Sequence, residues 1–275
     1  MFKVVASKSK TAPIRFVPER LENPPRRSTL DRSGVDTERK TIPPTAKIEI
    51  LEQGGYRRPV ITRGGAHARG RFRSRKTGLT QVFEGNGEPW FAMRNEVDAQ
   101  VLDFQCHPFR MYVIVKGKRR TYRPDAIRLL SSGRIQLVEV KRTEKDLEDP
   151  DYRDLMDQVQ EIVSECGWEF QVIYRQDILP NEHSRENIET LYGRVFGKLS
   201  SQDLNTCRAA QADARSIRWA DLRERFAASD PRDGDWMIET ACAQGLFWFD
   251  LDAERTDGTL LYPVTPKHRH GTIRF

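Results

Sequence analysis

The chain has 275 residues, 37% apolar, 9% aromatic and 31% charged, with a net charge of +6, a length that holds two modest domains with a real core. No apolar run approaches the length of a bilayer, which excludes a membrane segment, and the opening Met-Phe-Lys-Val-Val-Ala lacks the extended apolar stretch of a secretion signal. Cys106, Cys166, Cys207 and Cys242 are scattered with no C-x-x-C pair, which argues against a zinc site and a disulfide framework, so a cytoplasmic protein with reduced thiols is expected.

The positive charge is unevenly placed. Residues 1–80 hold 19 Lys or Arg against 7 Asp or Glu, about +12, which leaves 27 against 33, about −6, for the remainder. Residues 1–56 form a basic arm with Pro13, Pro18, Pro24, Pro25, Pro43 and Pro44 and no helical period, expected to be extended or disordered. Arg57, Arg58, Arg63, Arg69, Arg71, Arg73, Arg75 and Lys76 then follow without one acid between Glu52 and Glu84, a run that attracts phosphate. In an extended segment Arg69, Arg71, Arg73 and Arg75 share one face. We read them, with Lys76, as contacts to double-stranded DNA; a charged edge that blocks aggregation is the alternative.

Next, Glu84-Gly-Asn-Gly-Glu88 leads into Pro89, which suits the first turn of a helix whose apolar side is Trp90, Phe91 and Met93, so Glu88 stands at the helix entrance. Val101 to Phe109 reads as a strand entering a turn, in which Gln105 takes a backbone hydrogen bond and His107 is structural. Met111 to Val115, a basic tip at Lys116 to Arg120, Tyr122 to Leu129, a Ser131-Ser-Gly133 turn and Ile135 to Val140 read together as an antiparallel meander. Alternation then points Glu139 and Lys141 to one face, with Asp125 beside them on the neighbouring strand. Two carboxylates repel unless a hard cation joins them, and oxygen ligands with room for water and phosphate suit Mg²⁺. A lysine there orients water or offsets charge growing on a phosphoryl group, which is the chemistry of phosphodiester hydrolysis. The alternative is a solvated hairpin with a weak Glu139–Lys141 pair.

Tyr152, Leu155, Met156, Val159, Ile162 and Val163 have helical spacing over 151–166, Gly167 stops the helix, and Trp168 to Tyr174 follows as a strand in a β-α-β arrangement. Beyond about Leu179, helices are predicted over 188–199, 201–212, 217–228 and 236–244, and a hairpin joins Leu246–Leu251 to Leu260–Val264 through Asp257-Gly258. Helices followed by a hairpin suggest a winged-helix-like module over 179–266. Its candidate recognition helix carries Asp235 and Glu239 and no Lys or Arg over 235–244, which favours protein docking over a DNA groove. Three successive rings, Phe247, Trp248 and Phe249, cannot all be buried on one face of a strand. Residues 267–275 form a basic tail.

The central region resembles the PD-(D/E)xK nuclease superfamily. Within it, Gly70-Arg-Phe-Arg-Ser-Arg-Lys-Thr-Gly78, Phe83-Glu-Gly-Asn-Gly-Glu88, Gln105 to Pro108, Pro124-Asp125 and Glu139-Val-Lys141 are similar to the run of motifs in the TnsA-type transposase endonuclease. The resemblance implies an α/β (α+β) restriction-endonuclease-like domain over 57–178, with a mixed sheet flanked by helices. It also implies Mg²⁺, for which Mn²⁺ substitutes, held by Glu88, Asp125 and Glu139, with Lys141 completing the catalytic set. Gly-Asn-Gly departs from the family's Ser-x-Leu and leaves Glu84 as an alternative to Glu88. Implied partners are double-stranded DNA, a transposase subunit and an AAA+ ATPase regulator, and the implied activity is cleavage at transposon ends. A restriction or repair nuclease of the same fold, and a non-catalytic DNA-binding regulator, are the competing readings.

Overall fold

The computed structural model describes residues 3–7, 46–51, 69–85 and 87–264, a mixed α/β chain of several sheets and helices. Strands β1 (Lys3–Ser7), β2 (Ala46–Leu51), β3 (Arg69–Arg73) and β4 (Thr80–Glu84) precede helix α1 (Glu88–Val97). Then come β5 (Val101–Cys106), β6 (Arg110–Val115), β7 (Lys118–Tyr122), β8 (Ala126–Leu130), β9 (Ile135–Lys141), α2 (Pro150–Glu165) and β10 (Glu169–Tyr174). One sheet has the order β1-β2-β6-β7, a second β10-β9-β8-β5, and β3 and β4 form a separate hairpin. Part of the N-terminal arm is thus strand; Arg57, Arg58, Arg63 and the basic tail lie outside the described residues.

The expected meander is split between two sheets. Lys116 and Gly117, with φ of 49° and 76°, close β6 onto β7 in the left-handed geometry that matches strand twist in a two-residue hairpin. Pro124 has no N–H to donate to a ladder, and here β7 ends at Tyr122 and β8 begins at Ala126. Gly133, with φ of 84°, turns β8 into β9, and the register pairs Ala126 with Val138. Asp125 therefore emerges just before β8, one step along from the pair that precedes Glu139.

Helices cover both faces of the second sheet. On one, Met156, Val159, Ile162 and Val163 of α2 pack with Ile135 and Leu137 of β9 and with Met111 and Val113 of β6. On the other, Phe91 of α1 packs with Ala126 and Val138. A strand with helices on both faces needs apolar side chains on both, and β9 supplies Ile135 and Leu137 to one and Val138 to the other. Asp149 caps α2 through the Asp151 N–H with Pro150 at the first position, Gly167 (φ 75°) ends it, and β10 returns parallel to β9.

The C-terminal elements are α3 (Arg175–Ile178), α4 (Glu182–Tyr192), α5 (Ser201–Asp213), β11 (Ile217–Arg218), α6 (Trp219–Phe226), α7 (Pro231–Ala243), β12 (Phe247–Trp248) and β13 (Leu260–Pro263). Helices α4 and α7 start earlier than their apolar spacing suggests, because Asn181 and Asp230 cap polar first turns. The predicted hairpin forms, and β11 adds a third strand in the order β11-β13-β12. Phe247 and Phe249 are buried, while Trp248 stacks on Tyr262 with ring centroids 4.6 Å apart. The acids of α7 do not make an acidic face. Asp235 accepts from Trp219 Nε1 and Arg223, and buried Glu239 lies between Arg194 and Arg255.

Helix α1 belongs to both halves of the molecule. Val97 is part of the C-terminal core, and Trp90 and Met93 pack against it. Arg94 makes a two-pronged contact with Asp252, at 2.7 and 2.8 Å, and donates to Ile178 O at 2.9 Å. Arg94→Ala should lower stability by about 1–3 kcal/mol, since it strips a carboxylate and a carbonyl of a charge-assisted donor. Urea unfolding of the whole chain measures this; an unchanged midpoint would show the contact to be idle.

Candidate active site

The β8–β9 pair and the entrance of α1 enclose an open pocket of about 610 Å³, lined by Glu84, Glu88, Asp125, Lys141, Arg142, Asp146 and Arg175, among others. Asp125 reaches it because Pro124 ends the preceding strand and because one carboxylate oxygen is anchored by the Val140 N–H at 2.7 Å. Glu88 reaches it from the first turn of α1. Gly85 supplies the left-handed φ of 79° that the turn requires, and Gly87 lies so close to Val140 that an added Cβ would sit 3.3 Å from it. The Gly-Asn-Gly departure thus provides a tight approach of α1 to β9.

Glu88 Oε2 accepts from the Glu84 N–H at 2.7 Å and lies 3.0 Å from His107 Nε2. His107, structural by the sequence reading, buttresses Glu88. Its burial works against the charged form, yet the Glu88 contact and the nearby Asp125 prevail and raise its pKa. Asp125 is disfavoured as a carboxylate in the metal-free site. Burial, then the charges of Glu139 and Glu88, raise its pKa to about 8 against the opposing pull of the Val140 N–H and His107. Glu84 lines the pocket too, but Glu88 is the one whose charge acts on Asp125.

Glu139 and Lys141 share a face as expected, but Glu139 is not on the pocket wall. Its side chain is buried, Oε1 accepting from Lys141 Nζ at 2.7 Å and Tyr152 Oη at 2.6 Å, and Oε2 from Tyr122 Oη at 2.7 Å. Burial first and then Glu139 push both phenols upward in pKa, so they remain protonated donors. Lys141 Nζ also lies over the Tyr152 ring, 4.5 Å from its centroid. The structure therefore joins Asp125 and Glu88 at the wall and uses Glu139 to fix Lys141. Gln105 is buried, and its Oε1 finds no hydrogen-bond partner among the described residues.

Among the described residues no group of three or more His, Cys, Asp or Glu side chains is placed to hold a metal ion. Two carboxylates suffice for Mg²⁺, which keeps several waters and completes its shell with phosphate. Asp125 and Glu88 fit that requirement: both are hard oxygen donors on an open pocket, and a cation would offset the burial and the neighbouring negative charges that raise Asp125. Glu139 would have to give up a lysine or tyrosine contact to join them.

Arg69, Arg71 and Arg73 lie along β3 of the β3–β4 hairpin, whereas Arg75, expected on the same extended face, falls in the turn that follows the strand. Arg69 pairs in register with Glu84 at the pocket, and Arg71 and Arg73 are exposed farther along. Lys76 departs from this track. Its ammonium donates to the Asn95 and Asp98 carbonyls at the end of α1, at 2.5 and 2.7 Å, where burial lowers its pKa to about 8. Ser74 and the N–H groups of Arg75 and Lys76 are gathered by buried Glu96. Lys76 is thus a cap on α1, and the Ser-x-Lys-Thr-Gly stretch is the joint between hairpin and helix.

Sequence reasoning misses the parts played by His107, Tyr122, Tyr152, Arg142 and Arg175. Tyr152 is visible only as part of the apolar stripe of α2, and nothing local shows that its hydroxyl crosses to β9. No helix among the described residues is long and apolar enough to cross a membrane. No protein-family model matches this chain, and no curated protein is significantly similar to it.

Proposed function

We propose that the chain is a Mg²⁺-dependent DNA endonuclease of the PD-(D/E)xK kind, acting as the TnsA-type resemblance implies, at transposon ends with a transposase subunit and an AAA+ regulator. The observation that carries this reading is the juxtaposition of buried Asp125 with Glu88 on one pocket wall, beside Lys141 held by Glu139. The mixed sheet flanked by α1 and α2 supports it, as does the C-terminal order of helix, strand, two helices and two strands, which suits a winged helix.

Asp125 and Glu88 would hold the cation, whose chemistry is to polarise a phosphoryl oxygen and acidify bound water. Lys141, fixed by Glu139 and the Tyr152 ring, presents a preorganised positive charge where charge develops on the phosphoryl group, or orients the attacking water. Arg142 and Arg175 on the pocket wall offer guanidinium groups to phosphate. The exposed arginines of β3 extend that cationic surface away from the pocket along one strand.

Supercoiled plasmid incubated with the purified chain should be nicked or linearised with Mg²⁺ or Mn²⁺ and left intact with EDTA. A non-catalytic DNA-binding regulator would retard the plasmid in a gel and leave it covalently closed under both conditions.

A further inference from the structure

At the far end of the β3 edge stands an exposed aromatic ring that the nuclease chemistry does not use. Phe196 is 59% exposed, the most exposed large apolar side chain among the described residues. It is not at the tip of a loose loop. Val195 beside it is buried, and Gly197 lies so close to α7 that an added Cβ would sit 2.7 Å from the Thr240 side chain. Gln244 ties this turn to the arginine run, its Nε2 donating to Gly197 O at 2.7 Å and its Oε1 accepting from Arg75 Nη2 at 3.3 Å. Phe72, between Arg71 and Arg73, packs edge-to-face on Tyr192 at the end of α4, centroids 5.6 Å apart, which docks the strand on the helix that leads to Phe196.

Arg71, Arg73 and Arg75 are exposed. Arg73 lies four steps along the strand from Arg69, which is opposite Glu84 in the register, or about 13 Å. The surface therefore runs from the carboxylate pocket along guanidinium groups to a ring held firmly in solvent. Cationic side chains with an aromatic platform are what an unpaired nucleic acid strand requires, phosphates on the arginines and a base on the ring. In a fully paired duplex the bases are stacked on one another and offer the ring no face. We propose that Phe196, with Arg75 and Gln244 beside it, is a stacking site for an unpaired base, so that the β3 edge favours a frayed or single-stranded segment over intact duplex. The proposal rests on the nuclease reading for its substrate, and deepens it.

Equilibrium binding of three fluorescent DNAs in EDTA tests it: a fully paired duplex, the same duplex with a frayed end, and a single strand. Phe196→Ala should weaken the frayed and single-stranded probes on the order of 10-fold and leave the paired duplex within about 2-fold. Phe196→Trp should restore that affinity, and its additional indole emission should be quenched when the single strand binds. Arg71→Gln with Arg73→Gln should weaken all three probes. Equal loss of all probes in Phe196→Ala, no loss of any, or an unquenched indole would overturn the proposal. A surface for a protein partner gives the second of these results. Failure of the nuclease reading has a different signature, because binding in EDTA keeps its preference for unpaired DNA while plasmid stays uncut with Mg²⁺.

Discussion

Asp125→Asn should reduce Mg²⁺-dependent DNA cutting by ~100-fold or more while leaving DNA affinity within a few-fold. The side chain barely changes in shape, and its amide oxygen can still accept from the Val140 N–H. What disappears is the negative charge at the point where the pocket needs it. The same substitution should have the opposite effect on the metal-free fold. Asp125 ionises near pH 8 in the folded chain against 3.8 as the ordinary value, so between those limits the folded state holds the extra proton. Stability then falls as pH rises through that window; the penalty is absent below about pH 3.8 and complete above about pH 8. Asparagine cannot ionise, so the EDTA-treated variant should be at least as stable as wild type at pH 8 and should lack this slope. Loss of cutting together with lower metal-free stability at pH 8 would show a structural lesion instead.

The second large effect is on DNA affinity. Arg71, Arg73 and Arg75 are exposed, and converting all three to glutamine should reduce the slope of log affinity against log salt by about 1 for each phosphate that is no longer neutralised. Affinity at moderate salt should fall by orders of magnitude, with little change in folding, because these side chains contribute little burial. Lys76→Gln should behave differently: it removes the donor to the Asn95 and Asp98 carbonyls at the end of α1, so it should lower stability and leave the salt slope unchanged. Fluorescence anisotropy titrations from about 50 to about 200 mM salt separate these outcomes. A triple variant with the wild-type slope would mark β3 as a charged edge only.

The parts of this architecture legible in the sequence are those set by local chemistry. The apolar stripe of α2 and its stop at Gly167, the Ser131-Ser-Gly133 turn, Pro89 at the start of α1 and the placing of Glu139 and Lys141 on one strand face all follow from residue type and spacing. What escapes depends on which segments meet. The split of the meander is written in Pro124, whose missing N–H interrupts a ladder between the basic strand β7 and the apolar strand β8. Glu139 reads as a metal ligand because nothing near it in sequence announces two tyrosines arriving from β7 and α2. Lys76 reads as a phosphate contact by its charge alone, whereas its burial depends on the end of α1, about twenty residues onward. The acids of α7 similarly read as a surface feature, although Arg194, Arg223 and Arg255 engage them.

In the proposed site Asp125 and Glu88 hold a divalent cation while Glu139 holds Lys141. Calorimetric titration of Mg²⁺ into wild type, Asp125→Asn, Glu88→Gln and Glu139→Gln, without DNA, tests it without interference from a contaminating nuclease. Asp125→Asn and Glu88→Gln should each weaken binding by ~10-fold or more, and Glu139→Gln should leave it within a few-fold. Equal loss in Glu139→Gln and Asp125→Asn, or binding indifferent to Asp125, would overturn this assignment of the metal ligands.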